Sequence, residues 1–274
     1  MYLMSKIDHT NRFGRGNWAL IRCAVPPELP KFDDPVEINI MTEKFNFFDE
    51  VNDKSNSWKV RARISRMWEA VNLQDKTQSY GLHMLLLDEK SNQIHHAKIS
   101  PGIQHKFEKK LIEGDIFVID KFEVKETTGR YRPVRSKYTI SLTKDTIVSP
   151  SKEIGTTFIK YNFSFVEFED LMKTKDISVF HTKVNFIGKL IRVGPKKPQG
   201  FREIIIQNER GSELTIALWG DNSDRLSNIS NQEEDMMLCI ITSLYLKMIG
   251  KEYKLCLTSA TKLYLNLEHF GHVD

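Results

Sequence analysis

Cysteine is scarce: Cys23, Cys239 and Cys256 are the only three in 274 residues. They are widely scattered, which argues against a disulfide framework and for a reducing compartment. No CxxC pair exists, so neither a zinc ribbon nor a zinc finger is expected. No apolar run reaches 18 residues, which excludes an ordinary membrane-spanning helix. The first residues, MYLMSKIDHTNRFGRG, lack the apolar core of a secretory signal. Nucleotide chemistry has no support, because neither GxxxxGK[ST] nor GxGxxG occurs. Asp and Glu fall as singletons without acid–base spacing. The one histidine pair, His95–His96, lies in an alternating stretch that sends the two rings to opposite faces, so it does not make a metal site. The expectation is a protein that is not an enzyme, with no cofactor, no metal and no membrane partner.

What is present is ordinary in amount and uneven in placement. Hydrophobic residues make up 40% and charged residues 28%, as in a globular protein. The net charge of +4 is concentrated. Residues 1–57 hold 7 Lys+Arg against 9 Asp+Glu, residues 58–149 hold 17 against 11, and residues 150–274 hold 16 against 16. The middle segment thus carries a modest footprint for a polyanion.

Residues 1–50 contain PPELPKFDDP and read as a poorly ordered leader. From Trp58 a period of two appears: Trp58, Val60, Ala62 and Ile64 alternate with Lys59, Arg61 and Arg63, a half-buried strand. Ser79–Ser100 reads as two further strands. Pro101 opens a helix whose Ile103, Phe107 and Leu111 share a face. Two more strands follow, Ile116–Lys125 and Val134 to about Leu142. Three strands, a helix and two strands is the order of an OB-fold, a small Greek-key barrel. After a connector the order returns: KVNFIGKLIRVG, REIIIQ, ELTIALWG, a short helix with Asp221 as its N-cap, and two closing strands. The expected fold is all-β with short helices, two tandem five-stranded OB barrels. Their bounds are 51–149 and 181–270, joined by a connector at 150–180.

Several side chains suit contact with a nucleic-acid strand. The segment KFEVKETTGRYRPVRSKY falls between strands four and five of the first barrel. It crowds Arg130, Arg132, Arg135 and Lys137 around Tyr131, cations for phosphate and a ring for a base. The alternative is a solvated hairpin. Lys59, Arg61 and Arg63 either meet phosphates or pair across the strands with Glu and Asp. Trp219 lies opposite the face of Leu214, Ile216 and Leu218, where it stacks on a base or caps the barrel. Tyr245 and Tyr253 border the second barrel's loop between strands four and five, where each stacks or packs on the rim.

WKVRARISRMW, GLHMLLLDEKSNQIHHAKI and KFEKKLIEGDIFVIDKFEVKETTGRYRPVRSKY resemble the first DNA-binding domain of the replication protein A large subunit. NFSFVEFEDLM resembles its connector, and KVNFIGKL, LTIALWGDNSDRL and YKLCLTSATKLYLN its second domain. The likeness runs from about 58 to 268 and is greatest to the divergent copies found in plants. It implies sequence-nonspecific binding of single-stranded DNA without catalysis, in replication, repair or recombination, and a nuclear location. Tyr131 and Trp219 match stacking positions of the family. Two other such positions do not carry over: one falls at Ile99 or Ser100, the other near Lys247 or Met248. The strand 1–2 loop, EAVNLQDKTQ, has no aromatic residue. The family's N-terminal interaction domain and zinc-containing domain have no counterpart, so partnership with replication protein A subunits is not evident. A binder of single-stranded RNA, or an OB module for protein contacts, would be built on the same scaffold.

Overall fold

The computed structural model describes residues 43–72, 75, 77–90, 94–128, 132–151, 158–173, 184–227, 237–249 and 252–267. Most of the expected leader, residues 1–42, lies outside these, and so do Arg130 and Tyr131.

Alternation builds the first barrel. In β1 (Lys59–Val71), Val60, Ala62 and Ile64 are fully buried. A bulge between Ile64 and Arg66 then inverts the pattern. Beyond it Met67 packs on the core, while Arg66 and Trp68 take the outer face. β2 (Ser79–Leu87) and β3 (Ile94–Ile99) follow antiparallel, burying Leu82, Met84, Leu86, Ala97 and Ile99. Phe48 also enters this core. It comes from the last residues of the stretch read as a leader.

The helix after β3 is shorter than its apolar period suggests. α1 (Pro101–Gln104) is a single turn. Several of the turns beyond it close over three residues, as in Lys106 N–H to Ile103 O (3.1 Å) and Lys110 N–H to Phe107 O (2.8 Å). Phe107 and Leu111 are buried all the same.

Strands four and five are each broken in two. β4 (Ile116–Asp120) and β5 (Glu123–Glu126) flank a bend at Lys121, whose φ is 58°. β6 (Tyr138–Leu142) and β7 (Ile147–Ser151) flank the turn Thr143–Thr146. The sheet order is β5-β6-β3-β2-β1-β4-β7, with β6 parallel to β3. The bent fourth strand therefore pairs with β1 at one end of the sheet and β6 at the other, which curls the sheet into an OB barrel. The fifth strand begins at Tyr138 and not at Val134. The Ser136 hydroxyl donates to Tyr138 O (2.7 Å) and accepts from Tyr138 N–H (3.3 Å), a local alternative to ladder pairing.

The second barrel repeats the plan. β8 (Val184–Val193), β9 (Phe201–Gln207) and β10 (Glu213–Trp219) form an antiparallel meander, followed by α3 (Asp221–Asp224). Asp221, expected as the N-cap, is the first helical residue, and Gly220 at φ 57° takes the cap position. β11 (Leu238–Ile249) pairs with β8, β12 (Glu252–Cys256) and β13 (Lys262–Leu265). From the connector, α2 (Phe168–Lys173) places Phe168 and Leu171 in this core, with Phe168 edge-on to Phe186 at 5.7 Å.

Both barrels share one bend. In the first, Thr146 Oγ1 donates to the carbonyl of positive-φ Lys121 (3.0 Å), and Thr143 N–H donates to Thr146 Oγ1 (2.8 Å). In the second, Thr261 Oγ1 donates to the carbonyl of Ser243 (3.1 Å), whose φ is also 58°. Thr258 N–H donates to Thr261 Oγ1 (2.8 Å). The sequences are TKDT and TSAT. A T-x-x-T turn in strand five thus holds the kink of strand four in each barrel.

Residues 43–274 cluster as one compact unit. Arg66, 4% exposed, reaches from the bulge of β1 to the second barrel's bend. It donates to Thr242 Oγ1 (2.7 Å), Ser243 Oγ (3.0 Å) and Ala260 O. Lys262 pairs with Glu113, whose other oxygen accepts Met67 N–H (2.8 Å). Beside them Tyr161 and Phe163 of the connector pack edge-on to Tyr264 at 5.6 and 5.5 Å.

Candidate nucleic-acid interface

The outer face of β9 and β10 is set by alternation. Ile204, Ile206, Leu214, Ile216 and Leu218 turn inward. Their neighbours Phe201, Glu203, Ile205, Thr215, Ala217 and Trp219 therefore turn outward. Phe201 and Trp219 are direct cross-strand partners at the end of the ladder, with ring centroids 4.8 Å apart and planes 33° apart. One face of Trp219 is spent on Phe201. The residue still exposes 48% of its surface. An open indole face held from behind by another ring can take an unstacked base.

Next to this platform runs the loop 194–200, GPKKPQG. With the end of β8 it lines a groove of about 590 Å³ bounded by Ile191, Arg192, Val193, Pro195, Lys197 and Glu203. Gly194 lies so close to β9 that a Cβ there would stand 2.9 Å from Glu203 O, and its N–H donates to that carbonyl (2.7 Å). Arg202 braces the loop by donating to Gly194 O (3.1 Å). The loop's cations are loosely held: Lys196 pairs with Asp224 (2.6 Å) and Lys197 with Glu203 (3.9 Å), all four side chains being well exposed. Exposed pairs of this kind contribute at most about 1 kcal/mol, so a phosphate can displace the carboxylates.

The cation stripe of β1 is arranged differently, each of its side chains being engaged within the chain. Arg61 is ion-paired with Glu89, both side chains largely buried, and lies over the rings of Phe45 and Phe158 at 5.3 and 5.7 Å. Arg63 donates to Gly114 O and lies 6.0 Å from the Phe158 ring. Lys59 pairs with Glu43 beside Phe45. Acidic and aromatic residues from outside the strand thus lie against this face.

In the first barrel's strand 4–5 segment, Arg132 donates to Thr127 O (2.8 Å), bracing the loop from within. Arg135 and Lys137 are exposed, the latter 5.0 Å from the Tyr138 ring. Tyr245 is half-buried opposite Cys256 on β12, and Tyr253 pairs with Met248. His95 and His96 do face opposite ways. His95 stacks on Phe48 (4.6 Å), while His96 meets His83 (Nε2–Nδ1 3.1 Å) and Trp68. Among the described residues no group of three metal-ligating side chains comes together.

Phe201 is the first residue of β9, one position before the REIIIQ stretch expected as this strand. Its signal was position: it stands first in a strand antiparallel to the one that ends in Trp219.

These barrels define a tandem OB-fold protein. Its architecture is replication protein A-like. The chain is similar to a solved replication protein A heterotrimer bound to ssDNA, with TM-score 0.53 and 16% identity over 82% of this chain. It covers 52% of that chain, about half its length. Residues 49–174 match the family model described as a domain of unknown function, DUF223. Two further solved structures are similar at lower scores. The Ifi202 HINa domain in complex with 20bp dsDNA has TM-score 0.44 and 10% identity, covering 77% of this chain and 96% of that one. The p202 HIN1 domain in complex with a 12-mer dsDNA has TM-score 0.45 and 11% identity, covering 77% and 94%. No curated protein sequence matches.

Proposed function

We propose that this chain binds single-stranded DNA without sequence preference, by stacking bases on aromatic rings and meeting phosphates with loosely held cations, in replication, repair or recombination in the nucleus. The observation that carries the reading is the Phe201–Trp219 platform, open on one side beside the exposed Lys196 and Lys197. A base inside a duplex has no free face for such a ring, so the platform favours single strands. In the first barrel, Arg132, Arg135 and Lys137 contribute from the strand 4–5 segment, with Arg130 and Tyr131 as their neighbours in sequence. Lys59, Arg61 and Arg63 contribute less, since each is already engaged inside the chain. Tyr245 and Tyr253 are secondary candidates on the second barrel.

Fluorescence anisotropy with labelled oligo-dT, oligo-U and a duplex at two salt concentrations tests this. Oligo-dT should bind at low salt and weaken as salt rises, log K falling by about 0.7 per log unit of salt for each phosphate neutralised. Duplex should bind less well. Equal affinity for oligo-U would make the chain a general single-strand binder. No binding to any strand at low salt would refute the proposal and leave an OB module for protein contacts.

A further inference from the structure

Among the aromatic side chains whose exposure is described, Tyr80 at 50% and Trp219 at 48% are the most open Trp, Tyr and Phe rings. They sit on different barrels and at the same corner of each. The start of β2 adjoins the end of β3, just as the start of β9 adjoins the end of β10, and in both barrels the chain then enters a one-turn helix. We infer that Tyr80 is a base-stacking ring of the first barrel, set at the corner where the second barrel carries its Phe201–Trp219 platform. This rests on the single-strand reading proposed above.

The backbone has been bent to present this ring. By parity with Leu82 and Met84, Tyr80 belongs on the core side. Gly81 changes that. Its φ of 95° is one that side chains rarely adopt, and it lies so tightly against Ile99 O that a Cβ could not be accommodated. The β1–β2 register slips at the same point, between Ala70 and Val71. Tyr80 thereby leaves the ladder and its ring faces water. The adjacent end of β3 offers no ring of its own. Ile99 is fully buried and Ser100 carries only a hydroxyl, so the stacking position that the replication protein A resemblance places there is empty on β3 and is supplied from β2. Exposed Lys98, Lys106, Lys109 and Lys110 stand on β3 and in the turns after α1, with Glu69, Asp75, Glu108, Glu113 and Asp115 as the acidic residues nearby in sequence and register. These exposed lysines are the groups a phosphate backbone would meet beside the ring.

Arg66 holds the two barrels together, so the two rings have a set separation before any strand binds. Binding of oligo-dT should then depend on length in two stages. Short oligomers bind one barrel, and affinity climbs again once the strand reaches from Trp219 to Tyr80. In the full chain, Tyr80→Ala should shrink the second rise, a loss of about tenfold or more for long oligomers against a smaller loss for short ones, which still bind the second barrel. Tyr80→Leu, which keeps apolar bulk without a ring, should behave like the alanine variant, and Tyr80→Phe like the wild type. Melting curves matching the wild type confirm that the variants fold. If Tyr80→Ala and Tyr80→Leu bind every length as the wild type does, while Trp219→Ala weakens binding, the assignment of Tyr80 is wrong and the single-strand reading stands. If the wild type binds no strand, both fall.

Discussion

Replacing Trp219 with alanine should weaken binding of a short oligo-dT by about 1–3 kcal/mol, roughly 5- to 150-fold in Kd. The indole is nearly half exposed, so its removal leaves no core cavity and the barrel should keep its melting temperature. Phe201→Ala should have a smaller effect of the same sign. Phe201 sits behind the indole and fixes its tilt, so without it Trp219 keeps its area but loses orientation. The double variant should therefore lose less than the two single losses together, because both act on one stacking event. Anisotropy titrations of the four proteins at one salt concentration provide the cycle. Additive losses would show two separate base contacts. Unchanged affinity in Trp219→Ala would remove the platform from the model.

The second large effect concerns acid. Burial lowers the pKa of His95 from 6.5 to about 4, and the nearby Asp88 only partly opposes this. The folded first barrel thus holds a neutral imidazole that the unfolded chain would protonate. The contribution is complete above pH 6.5. It declines as pH falls below that value, where only the unfolded state gains the proton, and levels off near pH 4. A shift of this size corresponds to about 3 kcal/mol across the window. His95→Gln removes the titrating group. Its stability at neutral pH should be lower, because the stack on Phe48 is lost, but it should change less between pH 6.5 and 4. Urea melts at pH 7, 5.5 and 4.5 measure both slopes. Equal slopes in the two proteins would place the acid sensitivity in the carboxylates.

Much of the architecture is legible in the sequence because burial in a barrel strand has a period of two. Val60, Ala62 and Ile64 announce β1, and Leu214, Ile216 and Leu218 announce β10 and put Trp219 on the outer face. What alternation cannot show is where a strand bends. The kinks at Lys121 and Ser243 depend on threonines 25 and 18 residues further along, and two threonines three apart are too common to signal a turn. The partners of the β1 charge stripe are hidden for a similar reason. Glu89, the ion-pair partner of Arg61, and Gly114 O, which accepts from Arg63, lie 28 and 51 residues away. Tyr80 is visible as an aromatic in a strand. Its exposure depends on the slip beside Gly81, which alternation conceals.

The position of Arg66 bears on how the protein unfolds. Burial disfavours the charge of its guanidinium, and the hydrogen bonds that compensate all come from the other barrel. When the second barrel opens, the first keeps its own core but gives up the contact that this buried arginine was placed to make. Each barrel's resistance to opening therefore includes a share lent by its neighbour. Heating should melt them in one cooperative event, where barrels on a slack tether would melt in two.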